Sequence, residues 1–146
     1  MLFNDQNLAE MGRKMFLNIP VKDLNRSIDF YTKLGFSFDQ QFTNEDATSI
    51  ILGDDILVML LREDFFKKFT NKPVANAKES TEVLICISAQ SREEVDEMVE
   101  LAIAAGGFSP VPTQDHGWMY GRSFEDPDGH IWEISYLDMN NLPEKA

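Results

Sequence analysis

The chain repeats itself, and the repeat limits what it can fold into. Gly35-Phe36-Ser37 and Gly107-Phe108-Ser109 fall at the same point of two similar halves. In the first half, residues 15–21 alternate: Leu17, Ile19 and Val21 share one strand face, Phe16, Asn18 and Pro20 the other. Asp23 then caps a helix that carries Leu24, Ile28 and Tyr31 at helical spacing, and Gly35 ends it. Strands are expected near 36–42 and 48–52. Gly53-Asp54-Asp55 turns the chain into another at 56–61. The second half repeats the order with a strand at 82–88 and a Ser91-Arg92-Glu93-Glu94 capping box. Its helix runs to Ala105 with Val95, Met98, Val99 and Ala102 inward. Strands near 108–112, 118–124 and 130–136 follow. Each half reads strand–helix–strand–strand–strand. One helix can cover one face of such a sheet, and two sheets placed together enclose a cavity between their other faces. The expected class is α+β: two βαβββ modules forming an open, cavity-bearing sheet.

The boundaries follow from the repeat. We expect a tail or short appended helix at 1–14 and one domain over 15–137. Its modules, 15–61 and 82–137, are joined by a linker at 62–81. A tail at 138–146 closes the chain. The linker opens with a short helix bearing Phe65, Phe66 and Phe69, which reads as core cover, lid or dimer contact. No apolar run approaches about 18 residues, so no membrane span is expected, and no basic segment precedes an apolar block as in a signal peptide. A net charge of −12 argues against nucleic acid and anionic membrane as partners. The one cysteine, Cys86, cannot form an internal disulfide, which fits a reduced, cytoplasmic setting.

The densest signal is Glu125-Asp126-Pro127-Asp128-Gly129 leading into Glu133. Pro127 presets one turn angle and Gly129 supplies the permissive backbone, so this is a tight turn between two strands. Glu133 then stands in an apolar strand beside Ile131, Trp132, Ile134 and Tyr136. Metal ligation, acid–base chemistry and an ion pair are the three uses open to it.

Together with Ile19-Pro20-Val21-Lys22-Asp23-Leu24, Ser27-Ile28-Asp29-Phe30-Tyr31 and Leu34-Gly35-Phe36, this turn resembles the vicinal oxygen chelate superfamily. Glyoxalase I, fosfomycin and bleomycin resistance proteins and extradiol dioxygenases belong to it. Glu82-Val83-Leu84 with Tyr120-Gly121-Arg122-Ser123-Phe124 is similar to the bacterial lactoylglutathione lyase-related group. The resemblance covers about 15–137 and implies a homodimer that binds a small molecule. Metal-dependent members place ligands on the first and last strands of each half. The motifs put Phe16, Met59, Glu82 and Glu133 there. Phe16 has no lone pair and Met59 is a soft thioether, so the set suits Ni, Zn or Mn poorly. Asn18 and Leu61, next on the same faces, add no anionic ligand.

No metal and no other cofactor is therefore expected, and the reading is a small-molecule-binding protein with a degraded metal site. The alternative is a metal-dependent lyase or isomerase of the lactoylglutathione lyase type. Glu133 is the candidate catalytic base in that case. Phe16, Asn18, Met59, Glu82, Trp118, Tyr120 and Arg122 are the candidate ligand-binding residues. Trp118, Tyr120, Arg122 and Phe124 alternate on one strand face, an aromatic lining in which Arg122 holds an anion or packs as ordinary sheet surface. An ion pair with Arg122 is one use open to Glu82 or Glu133. His116 and His130 read as surface or turn residues, and His130 has the opposite strand parity to Glu133.

Overall fold

Alternation along the strands decides which side of each sheet is buried. The computed structural model describes residues 12–145, so the expectation for 1–11 lies outside the described residues. The first half forms β1 (Met15–Val21), α1 (Leu24–Lys33), β2 (Ser37–Phe38), β3 (Ala47–Gly53) and β4 (Ile56–Arg62). A short α2 (Glu63–Phe66) and a 3-10 turn at Lys67–Phe69 follow. The second half forms β5 (Leu84–Ala89), α3 (Arg92–Ala104), β6 (Gln114–Asp115), β7 (Met119–Glu125) and β8 (Ile131–Leu137). The sheets have the same order, β1-β4-β3-β2 and β5-β8-β7-β6, with a parallel first pair and antiparallel pairs beyond it. The duplication in the sequence is thus a duplication of topology.

Two expected strands are shorter than the pattern suggested. In the first half only Ser37 and Phe38 pair, because Asp39 caps a 3-10 turn by accepting from the Gln41 amide. In the second half the 108–112 strand reduces to one bridge, Phe108 with Glu125, and pairing resumes at Gln114. Pro110 and Pro112 have no N–H to give a ladder, which moves the strand past them.

The residues fall into two compact units, 12–24 with 36–74 and 25–35 with 75–145. The first unit buries Ile19, Val21, Ile50, Val58 and Leu60 on one side of its sheet. In the second unit α3 packs on β7 and β8 through Val95, Val99 and Ala102. Its Ser91 cap accepts from the Glu94 amide, half of the expected capping box, while the Glu94 carboxylate accepts the amide of Gln90, one residue before the cap. The expectation that each half's helix covers its own sheet needs correction, because α1 lies with α3 on the second sheet. Phe30 meets Phe124 at 6.0 Å, and Tyr31 meets Trp132 at 5.6 Å.

That docking explains the sequence motifs. Tyr31 Oη donates to Asp126 Oδ2 at 2.5 Å and accepts from Trp132 Nε1 at 2.9 Å. Asp126 Oδ1 accepts the amides of Asp128 and His130, which closes the Asp-Pro-Asp-Gly turn. Asp128 accepts from Arg26 at 3.1 Å and from Ser27 at 3.4 Å. Gly129 has φ of 93°, and an added Cβ would lie 2.7 Å from the Lys78 amide, so no side chain fits. Burial, reinforced by the Asp126 charge, pushes the Tyr31 phenol well above its usual range, so it stays a donor. Burial also raises Asp126, against the opposing pull of His130 and its three donors.

At the far end of the second sheet, Arg92 donates to both carboxylate oxygens of Asp115, at 2.8 and 2.9 Å, and to the Gly117 carbonyl. This pair fixes the turn into β7, and the Arg92 hydrogen bonds hold Asp115 down at about 2.

Two outcomes follow from these contacts. Tyr31→Phe should destabilise the fold by about 1–3 kcal/mol in urea denaturation, since both Asp126 and the Trp132 indole lose a buried partner. A loss within a few tenths would show that the network is not holding α1. For Asp115, a depressed carboxyl stabilises above its unfolded value of 3.8, and this is lost as pH falls towards 2. The stability gap between wild type and Asp115→Asn should therefore close across that window, and a constant gap would exclude the Arg92 pair as its source.

Candidate functional site

Strand parity divides each sheet into two faces, and register fixes which residues stand in one row. On the first sheet Asn18 lies opposite Met59, and Met59 opposite Ser49. On the second, Cys86 lies opposite Glu133, and Glu133 opposite Ser123. The two rows are equivalent positions of the repeat, so Met59 corresponds to Glu133 and Ser49 to Ser123. Phe16 stands two residues before Asn18. The residue two before Cys86 is Leu84, so the position equivalent to Phe16 is Leu84. Glu82 is corrected accordingly: it precedes the first paired residue of β5 and is exposed.

The first row is mostly apolar in surroundings. Phe16 is exposed and meets Phe42 edge to face at 6.1 Å, both within the first unit. Asn18 is exposed, and its amide reaches only the Phe16 carbonyl, at 3.3 Å. Ser49 Oγ is buried with no hydrogen-bond partner, alone in this among the described residues. A buried hydroxyl without a partner costs free energy that alanine would not, so this one stands out. The residues expected here, Phe16, Asn18 and Met59, do share a face.

The second row contains the carboxylate. Glu133 is half-buried, and no hydrogen bond or ion pair joins it to any described residue. It borders a cleft of about 40 Å³ together with Val111, Pro112, Gln114, Met119, Ser123 and Ser135. Ser135 Oγ lies 3.6 Å from the Cys86 thiol. Leu84, 55% exposed, continues the same face.

The ligand pocket read from Trp118, Tyr120 and Arg122 is taken apart by parity. Tyr120 and Arg122 have the parity of Phe124 and Trp132 and lie on the helix-covered face, opposite Glu133. Tyr120 donates to Asp96 at 2.6 Å and carries the Arg92 guanidinium 4.8 Å above its ring. Arg122 donates to Asp96 at 3.1 Å and Glu100 at 2.8 Å. Arg122 borders the Glu133 cleft, yet its guanidinium is committed to α3, so the ion pair considered for Glu133 does not form. Trp118 precedes β7 and stacks on His116 at 6.3 Å, while its carbonyl accepts the Asp138 amide. His130 serves the turn through its amide.

Sequence reasoning missed Leu84, Ser49, Ser123, Ser135 and Gln114. Aligning the two halves strand by strand would have found Leu84, Ser49 and Ser123. Gln114 could not be found, because the strand was expected before the prolines. Among the described residues no three His, Cys, Asp or Glu side chains come together in a group suited to a metal ion.

The fold has parallels in known proteins. A hypothetical protein of S. aureus is 28% identical over 90% of this chain and all of its own, with a TM-score of 0.74. A glyoxalase-related enzyme from Fulvimarina pelagi has the same fold at 20% identity, covering 92% of this chain and 93% of that one, with a TM-score of 0.74. A fosfomycin resistance protein from Mesorhizobium loti shares the fold at 15% identity, over 86% and 92% of the two chains, with a TM-score of 0.63. No curated protein matches the chain significantly. No helix of the described residues is long and apolar enough to cross a membrane. The sequence profile of one family matches residues 15–134, most of both halves, and on that match the chain belongs to the Glyoxalase/Bleomycin resistance protein/Dioxygenase superfamily.

Proposed function

We propose that this chain binds a small organic molecule against the sheet face that carries Glu133, without the metal ion that the fold family implies. The donor set carries this reading. At the four equivalent strand positions stand Phe16, Met59, Leu84 and Glu133. One carboxylate and one thioether cannot make the nitrogen- and oxygen-rich set that Ni²⁺, Zn²⁺ or Mn²⁺ needs, and two of the positions have no lone pair. The residues do not fit the metal, so no step is assigned to one. What the Glu133 face of the second unit offers is apolar surface at Leu84, Met119 and Ile131 with isolated polar atoms, the usual make-up of an organic binding site. Glu133 has no partner to displace among the described residues and is available to a ligand. By family resemblance the protein acts as a homodimer, and its single thiol fits the cytoplasm.

Protein purified without chelator and analysed for Ni, Zn, Mn and Fe should contain them far below stoichiometry, and EDTA treatment should leave its melting temperature and any ligand-induced stabilisation unchanged. Stoichiometric metal that disappears in Glu133→Gln would overturn the proposal and restore the metal-dependent lyase or isomerase reading.

A further inference from the structure

We propose that the cleft beside Glu133 seats the primary ammonium group of an otherwise apolar ligand. This deepens the small-molecule reading and rests on it.

The first observation is an unbalanced charge. Where a carboxylate lies in the interior of the second unit, it is held. Asp126 takes three donors, and Asp128 takes Arg26 and Ser27. Glu133 is half-buried in mid-strand and takes none from any described residue. Arg122, the cation nearest in sequence, is turned to Asp96 and Glu100 on the other face. The Glu133 face therefore presents an anion to whatever lies against it. An anionic ligand is repelled there, and a neutral one must desolvate the carboxylate without replacing its charge.

The second observation is the size and lining of the cleft. About 40 Å³ is far below the ~300–1,000 Å³ that encloses a whole drug-sized ligand, so it can take a head group only. Beside the carboxylate, the hydroxyls of Ser123 and Ser135 and the amide of Gln114 can all accept hydrogen bonds. An ammonium group brings three donors and no acceptor, which matches one carboxylate surrounded by neutral oxygens. A hard divalent ion would find a single anionic ligand. Beyond the seat, Met119, Leu84 and Ile131 share the face and are at least partly exposed, so the body of the ligand is apolar.

The test uses three probes of one shape: benzylamine, benzyl alcohol and benzoate. Each is titrated into the full-length protein at low salt while the amide shifts of Glu133 and Ser135 are followed by NMR. Benzylamine should bind best and benzoate not at all. Glu133→Gln should weaken benzylamine at least about tenfold, to the level of benzyl alcohol, the loss expected for a hydrogen bond to a charged group. Ser135→Ala keeps the charge and should cost less. In case Glu133→Gln fails to fold, wild-type protein provides a separate reading: added salt should weaken benzylamine and leave benzyl alcohol unchanged. Equal binding of amine and alcohol, with no salt effect, would overturn the ammonium seat and leave the small-molecule reading standing. No response to any of the three probes at this face would overturn both.

Discussion

The hydroxyl of Tyr31 is the contact on which the second unit depends. It lies between a buried carboxylate and a buried indole, donating to Asp126 and accepting from Trp132. Through it a helix from early in the chain is fastened to a turn about a hundred residues later. The same aspartate shapes that turn by accepting the amides of residues 128 and 130. Removing any one member takes a buried partner away from the others, which is costlier than never having made the bond. The turn motif and the helix motif are therefore two halves of one polar joint. The residues that make the chain recognisable are mainly those that hold it together.

With α1 and α3 both on one side of the second sheet, the chemistry of its two faces is settled. Trp132, Ile134 and Phe124 turn inward beneath the helices, and Arg122 and Tyr120 turn the same way to meet Asp96 and Glu100. Alternation then places Glu133, Ser135 and Ser123 on the side opposite α1 and α3. Removing Arg122 from that side leaves its carboxylate unneutralised. The character of the Glu133 face is thus partly a consequence of how the opposite face is packed.

Much of this was legible in the sequence. The repeat gave the topology twice over, the capping box placed α3, and the proline–glycine turn placed the last hairpin. Periodicity failed where it had to. Residues 36–42 and 108–112 read as strands, but a side-chain cap at Asp39 and missing amides at Pro110 and Pro112 decide those segments. At the site, Phe16, Asn18, Met59 and Glu133 could be placed by parity within their own strands. Glu82 could not, because a shift of two residues keeps parity and so leaves the pattern unchanged. Only the pairing of Cys86 with Glu133 shows that Leu84 holds that position. Tyr120 and Arg122 do share a face, while Trp118 precedes the strand, and parity does not say which face a helix will cover.

The two rows of the repeat also differ in a way that bears on ligand choice. Met59 and Glu133 occupy equivalent positions, yet one is a flexible apolar side chain and the other an anion. A thioether accepts many shapes and discriminates weakly, since its contacts are dispersive and its torsions are soft. A carboxylate with no partner among the described residues discriminates strongly, because a ligand that covers it must replace its lost hydration. Glu133 is only half-buried, so water still reaches it in the free protein. Covering it with an apolar or anionic group would remove that water and offer nothing in return. For the small-molecule site proposed above, selectivity would be set by the cost of covering Glu133 more than by the shape around it.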